Sequence, residues 1–136
     1  MIPFRVAFRP GVSLFEQVVY AAKRAVVSGQ MRVGDAFPSV RALSKELKIN
    51  PNTAHKVVTQ LIAEGLLEVK VGIGTLVASP PASTAGERSR LLKGELEQLV
   101  VEAKKLGMDL DAVLEAVAEH WKRLSARERE GGSNRS

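Results

Sequence analysis

Residues 38–77 read PSVRALSKELKINPNTAHKVVTQLIAEGLLEVKVGIGTLV, and the order of their signals decides the fold. Pro38-Ser39-Val40-Arg41 opens a short helix: Ser39 is a good N-cap, and Val40, Leu43 and Leu47 fall on one face. Lys48-Ile49 is a tight connection. Asn50 then caps a second helix, and Pro51 suits its first position, where a missing N–H costs nothing. Val57, Leu61 and Ile62 form the buried side of that helix, and Gly65 past its end supplies a left-handed stop. Leu66–Val71 and Thr75–Ser79 read as two strands joined by Gly72-Ile73-Gly74. Two short helices, the second with a polar first turn, followed by a β-ribbon with a small-residue tip describe a winged helix-turn-helix. The expected fold is mainly α with a small β-wing.

Upstream, Phe4–Phe8 alternates apolar with charged or small residues, a short strand signal, and Arg9-Pro10-Gly11 is a turn. Ser13 with Glu16 three residues on has capping-box spacing. Leu14, Val18, Ala22 and Ala25 predict one buried face, and Gly29 ends that helix. Arg32-Val33-Gly34-Asp35 turns the chain towards Phe37-Pro38. Downstream, residues 78–85 are small and proline-containing and mark a linker. The periodicity then becomes helical. Leu92, Leu96, Leu99, Ala103 and Leu106 step by four and three, as do Leu110, Leu114, Val117, Trp121 and Leu124. Gly107 stops the first of these helices and Asp109 caps the second. The expected division is a head at 1–79, a linker at 80–86, a two-helix region at 87–126 and a frayed tail at 127–136. Two amphipathic helices of this size cannot build a core alone. A second copy of the chain is the simplest surface to complete them, with Leu92, Leu96, Leu99, Leu106, Leu110, Leu114, Val117 and Trp121 as the dimerisation residues.

Charge is divided as the architecture is. Residues 1–79 hold ten Lys and Arg against five acids, while residues 80–136 hold ten of each, so the whole net charge of +5 lies in the head. That suits a nucleic-acid-binding head on a neutral second module. There are no cysteines, hence no disulfide framework and no thiolate metal site. No apolar run reaches the ~18 residues of a membrane span, and the first residues lack a signal core, so a cytoplasmic protein is expected.

The chemistry expected of the second helix is that of a recognition helix. Asn52 can pair bidentately with adenine; Thr53 can bond a base edge or phosphate; His55 can donate to phosphate or guanine; Lys56 adds charge. The N–H groups at Asn52 and Thr53 point out of a helix start, which favours a phosphate. Arg41, at the start of the first of these helices, is placed for phosphate positioning or for reaching a guanine from the flank. In the wing, Gly72 and Gly74 let the backbone approach a groove or the sugar-phosphate edge, and Lys70 and Thr75 flank them.

An enzyme is the weakest alternative. Gly72-Ile73-Gly74 follows a strand but leads into another strand, so it is not a dinucleotide fingerprint. His55 and His120 lie in different modules, and Glu119 and His120 are helix neighbours that point apart. No catalytic constellation, cofactor site or metal site is expected. A winged helix that binds protein is disfavoured by the polar recognition turn and the charge asymmetry. A ligand or metal sensed where head meets tail, with Trp121 lining a pocket, competes with Trp121 as an ordinary dimer-core residue, and the helical period favours the latter.

Residues 13–77 resemble the DNA-binding domain of the GntR family of bacterial transcription regulators. The matching segments are Leu14-Phe15-Glu16-Gln17-Val18, Gly29 with Gly34-Asp35, Pro38–Leu43, Asn50–Thr53, Leu61–Leu67 and Gly72–Val77. The resemblance implies contacts to double-stranded DNA from Arg41, from Asn52, Thr53 and His55, and from the wing around Gly72 to Gly74. Two departures stand out: many members carry Arg where Pro51 stands here, and a basic or polar residue where Ile73 stands. The first implies one base or phosphate contact fewer, the second a lower affinity of the wing. The short tail resembles the YtrA-like subfamily, in which it serves for dimerisation. This implies a homodimeric repressor on an inverted-repeat operator, of the kind that controls ABC-transporter operons and often its own gene. A small-molecule effector remains an open partner, and no membrane is implied.

Overall fold

The computed structural model describes residues 2–79 and 81–125. They fall into two compact units, 2–79 with 124–125 and 81–123. The expectation for residues 127–136 lies outside the described residues.

In the first unit, three helices precede a two-stranded ribbon: α1 Leu14–Val27, α2 Val40–Leu47, α3 Pro51–Ala63, β1 Leu67–Lys70 and β2 Gly74–Val77. Each helix starts where a side chain satisfies an orphan backbone donor. Ser13 Oγ accepts from Glu16 N, Ser39 Oγ from Ala42 N at 3.1 Å, and Asn50 Oδ1 from Asn52 N at 2.7 Å. The helices also end as their residues dictate. Ser28 and Gly29 close α1, and Gly65 N and Leu66 N donate back to Ile62 O and Leu61 O to close α3. Between α2 and α3 the chain reverses at Lys48, whose φ of 55° makes it the one non-glycine residue in the left-handed region among the described residues. Such a conformation is uncommon for a side-chain-bearing residue, and it permits so tight a turn.

Both α1 and α2 pack on α3, which also meets β1. Val18, Ala22, Leu43, Ala54, Val57, Leu61, Leu67 and Val77 form the centre of the core. Its faces differ in part from the expected ones. Leu14 is 48% exposed and Ile62 36%, while Val19, Ala54 and Val58 are buried. The reason is that α1 and α3 are each covered over a broad arc, so the stripe is centred differently from the one a minimal period selects.

The strands pair antiparallel with Leu67 opposite Val77 and Lys70 opposite Gly74. Residues 34–37 lie along the other edge of β2: Gly34 N donates to Val77 O, Val77 N to Asp35 O and Phe37 N to Thr75 O, each at 2.8 Å. The edge is thereby covered. The Phe4–Phe8 strand expected from alternation does not form, and residues 4–8 are an irregular arm. Phe4 is buried and stacks on Phe37, ring centroids 5.9 Å apart. Gln17 holds the arm's far end, accepting from Arg9 N and donating to Arg9 O and Val12 O. Ring packing and a buried amide do for this segment what a ladder would have done.

In the second unit, α4 Ala85–Arg90, a π-helical turn Leu91–Glu95 and α5 Leu96–Lys105 follow one another without a break, and α6 Leu110–Leu124 comes after a turn. The first helix starts inside the expected linker, because Thr84 and Glu87 form a reciprocal capping box. Asp109 Oδ1 accepts from Ala112 N at 2.8 Å and caps α6 as expected, and Gly107 takes a φ of 75° at the turn. Ala103 is the one buried residue described in this unit. Leu92, Leu96, Leu99, Leu106, Leu110, Leu114 and Val117 are exposed, and Trp121 is 75% exposed.

Candidate nucleic-acid interface

Asn50 and Pro51 fix the start of α3, so Asn52, Thr53, His55 and Lys56 occupy its first two turns. Ala54, Val57 and Val58, buried on the core side, hold the helix against rotation. Asn52, His55 and Lys56 are exposed and Thr53 is half-buried. None of these four side chains has a hydrogen-bond or ion-pair partner among the described residues. A carboxamide, an imidazole and an ammonium group are thus presented together with unspent bonding capacity, as base-edge and phosphate readers require. One expected donor is taken: the Asn52 N–H is already bonded to Asn50 Oδ1, so the helix start has less backbone capacity for a phosphate than the sequence implies.

Arg41 is the second residue of α2, exposed and unpaired among the described residues. Lys45 follows one turn later and Lys48 lies in the turn before α3, both exposed. The sequence reading passed over these two cations. Their i,i+4 and i,i+7 spacing from Arg41 was the available signal. The far end of α3 is anchored instead of presented. Lys23 Nζ on α1 lies 2.8 Å from Glu64 Oε1, and Gln60 Nε2 donates to Glu64 Oε2 at 2.9 Å. The Gln60 hydrogen bond and then the Lys23 contact hold the Glu64 carboxyl below its ordinary value.

The wing differs in chemistry from α2 and α3. Gly72 and Gly74 have φ of 83° and 121°, with open space where a Cβ would stand, so the turn's backbone conformation and not crowding requires glycine there. Ile73 N donates to Lys70 O at 3.0 Å across the turn. Lys70 lies 3.7 Å from Glu68 Oε1, which partly offsets its charge. Val71 is fully exposed and Ile73 is 71% exposed, so the tip is apolar.

Among the described residues no group of three or more His, Asp or Glu is placed to hold a metal ion. No helix among them is long and apolar enough to cross a membrane.

The bacterial regulatory protein gntR family matches residues 14–77, the span from α1 to the end of β2. The HTH-type transcriptional repressor YtrA of Bacillus subtilis is 32% identical over 112 residues, covering 82% of this chain and 86% of that protein. An alignment of that length runs beyond the helix-turn-helix and wing into the second unit. Among solved structures, a transcriptional regulator from Oenococcus oeni is 27% identical with a TM-score of 0.59, covering 85% of this chain and 96% of that one. A transcriptional antiterminator from Listeria monocytogenes shares the fold over 90% of this chain and 92% of that one, with a TM-score of 0.79 at 21% identity. A capped helix with a polar first turn, a paired ribbon after it and a relative matched along both units agree: the chain belongs to the gntR family of bacterial regulatory proteins, winged-helix DNA-binding regulators of transcription.

Proposed function

We propose that the chain is a homodimeric repressor in which the head, residues 1–79, reads an inverted-repeat operator and the region 87–126 joins two copies. The observation that carries the dimer is the row of exposed apolar side chains on α5 and α6, from Leu96 and Leu99 through Leu110 and Leu114 to Trp121. Apolar stripes left exposed on both helices call for a partner, and the same stripes on a second copy can meet them about a two-fold axis. Such a dimer presents two α3 helices to two major grooves, so the operator repeats with the protein's symmetry.

Within each head, Asn52 reads a base, with Thr53 and His55 beside it. Arg41 and Lys56, with Lys45 and Lys48, meet phosphates, and the Gly72–Gly74 tip passes along the neighbouring groove. The sign of regulation rests on the repressor YtrA, 32% identical to this chain. The operator is sought first upstream of the chain's own gene and of any adjacent ABC-transporter operon. Fluorescence anisotropy against that DNA, with unrelated duplex as competitor, tests the proposal. Competitor-resistant saturation at two chains per site is expected. Equal, weak binding to all duplexes refutes sequence reading, and saturation at one chain per site refutes the dimer.

A further inference from the structure

The arm at residues 4–8 borders a cavity whose lining includes none of the residues assigned above to DNA. It lies between the arm and α1, holds about 270 Å³, and is lined by Phe4, Arg5, Tyr20, Ala21, Arg24, Ala25 and Gln30. Phe4, Ala21 and Ala25 are its apolar lining residues. The polar lining is donor-rich and one-signed: two guanidinium groups, a phenol and a carboxamide, with no carboxylate among the lining residues. Neither the Arg5 nor the Arg24 guanidinium has a partner among the described residues. Part of the lining is held in place, while Arg5, Tyr20 and Arg24 are exposed. Phe4 is stacked on Phe37, Gln30 Nε2 donates to Pro3 O at 2.9 Å, and Ala25 is buried.

We infer that this cavity binds a small organic anion, a carboxylate or phosphate ester carrying one apolar ring or short chain. Two guanidinium groups bordering one small space present planar donor forks that match the oxygens of carboxylate and phosphate. The Tyr20 ring and the apolar lining at Phe4, Ala21 and Ala25 take the apolar body, and the Tyr20 phenol and Gln30 carboxamide supply further donors. The volume, at the lower edge of the ~300–1,000 Å³ common for ligand pockets, limits the occupant to a single-ring compound. Bound there, the anion joins the arm, through Arg5, to α1, through Arg24. Lys23, the residue before Arg24 on α1, already ties that helix to Glu64 just past α3.

Phosphate chemistry at two arginines has a second source, the DNA backbone, and the experiment separates the two. The full chain is melted with phenyl phosphate, benzoate and the neutral control benzyl alcohol at constant ionic strength, and phenyl phosphate affinity is measured by calorimetry. The same is done for Arg5→Gln and Arg24→Gln, and each protein is titrated with duplex DNA. Expected is a saturable rise in melting midpoint of at least about 2 °C with phenyl phosphate or benzoate and none with benzyl alcohol. Each Gln variant should lose at least fivefold in phenyl phosphate affinity while its unliganded midpoint and DNA affinity stay at the parent values. Absence of a saturable rise with either anion overturns the inference, as does a rise that both variants retain. Variants that lose DNA affinity and salt dependence without a change in anion binding overturn it too, assigning these arginines to the DNA backbone.

Discussion

Replacing Leu99 by Asp tests the dimer where the apolar face of α5 is richest. Leu99 keeps 48% of its surface exposed in the single chain. Full burial of a leucine side chain is worth about 1.5–3 kcal/mol, so roughly half of that, about 1 kcal/mol, remains to be gained at each copy on association. A two-fold dimer contains the residue twice, which makes the lost apolar term about 2 kcal/mol. The aspartate adds desolvation without a partner, at the low end about 1 kcal/mol per copy. The total is about 4 kcal/mol, close to three orders of magnitude in the dimer dissociation constant. Leu99→Ala omits the carboxylate and should weaken the dimer by at most about 30-fold, so the two variants form a graded pair. Sedimentation equilibrium over a thousandfold concentration range measures both constants, and far-UV circular dichroism confirms that helix content is kept. A dissociation constant unchanged within threefold in the aspartate variant refutes the assignment of this face to the dimer.

Arg41→Ala should weaken binding to every duplex and lower the slope of log K against log salt by about 0.9 per head, about 1.8 for a dimer; anisotropy at four salt concentrations measures it. Asn52→Ala should cost about 1–3 kcal/mol on the cognate operator and little on one altered at the base it reads, and a loss equal on both sequences removes its role as a reader. Glu64, whose pKa is lowered in the folded chain, contributes stability that is full above its unfolded value near 4.5 and is lost as pH falls through the folded value. The melting midpoint of Glu64→Gln should therefore lie below the parent's at neutral pH and converge on it as pH falls below about 4.5, with a gap of no more than about 1 kcal/mol because the pair is partly solvated.

Local chemistry was legible wherever one side chain decides one backbone event. Ser39, Asn50 and Asp109 cap the helices they were expected to cap, and Gly65 and Gly107 stop the helices before them. Non-local events were not legible. The alternation of Phe4–Phe8 satisfies a strand pattern, yet a strand needs a partner, and the free edge of β2 is taken by residues 34–37. The arm's placement depends on a ring stack with Phe37, thirty-three positions away, which no window over the arm contains. Thr84 and Glu87 carry a capping-box spacing that the preceding prolines masked as linker. The π-helical turn at Leu91–Glu95 leaves a leucine period that still reads as regular helix.

The proposed reading surface divides chemically in a way that its residue types alone do not reveal. The wing resembles a DNA-contacting ribbon in sequence. In the fold its one lysine sits near Glu68 and its tip is Val71 and Ile73. Of the cations without a partner among the described residues, four lie on or beside the two helices of the motif: Arg41 and Lys45 on α2, Lys48 in the turn and Lys56 on α3. Counterion release follows cations that neutralise phosphates, so salt sensitivity should originate from α2, the turn and α3. The wing's contribution, made by an apolar tip, should change little with salt. Removing Lys70 would then leave the salt slope nearly intact, whereas removing Arg41 would lower it. That contrast follows from the Glu68 carboxylate beside Lys70, two residues along the same strand.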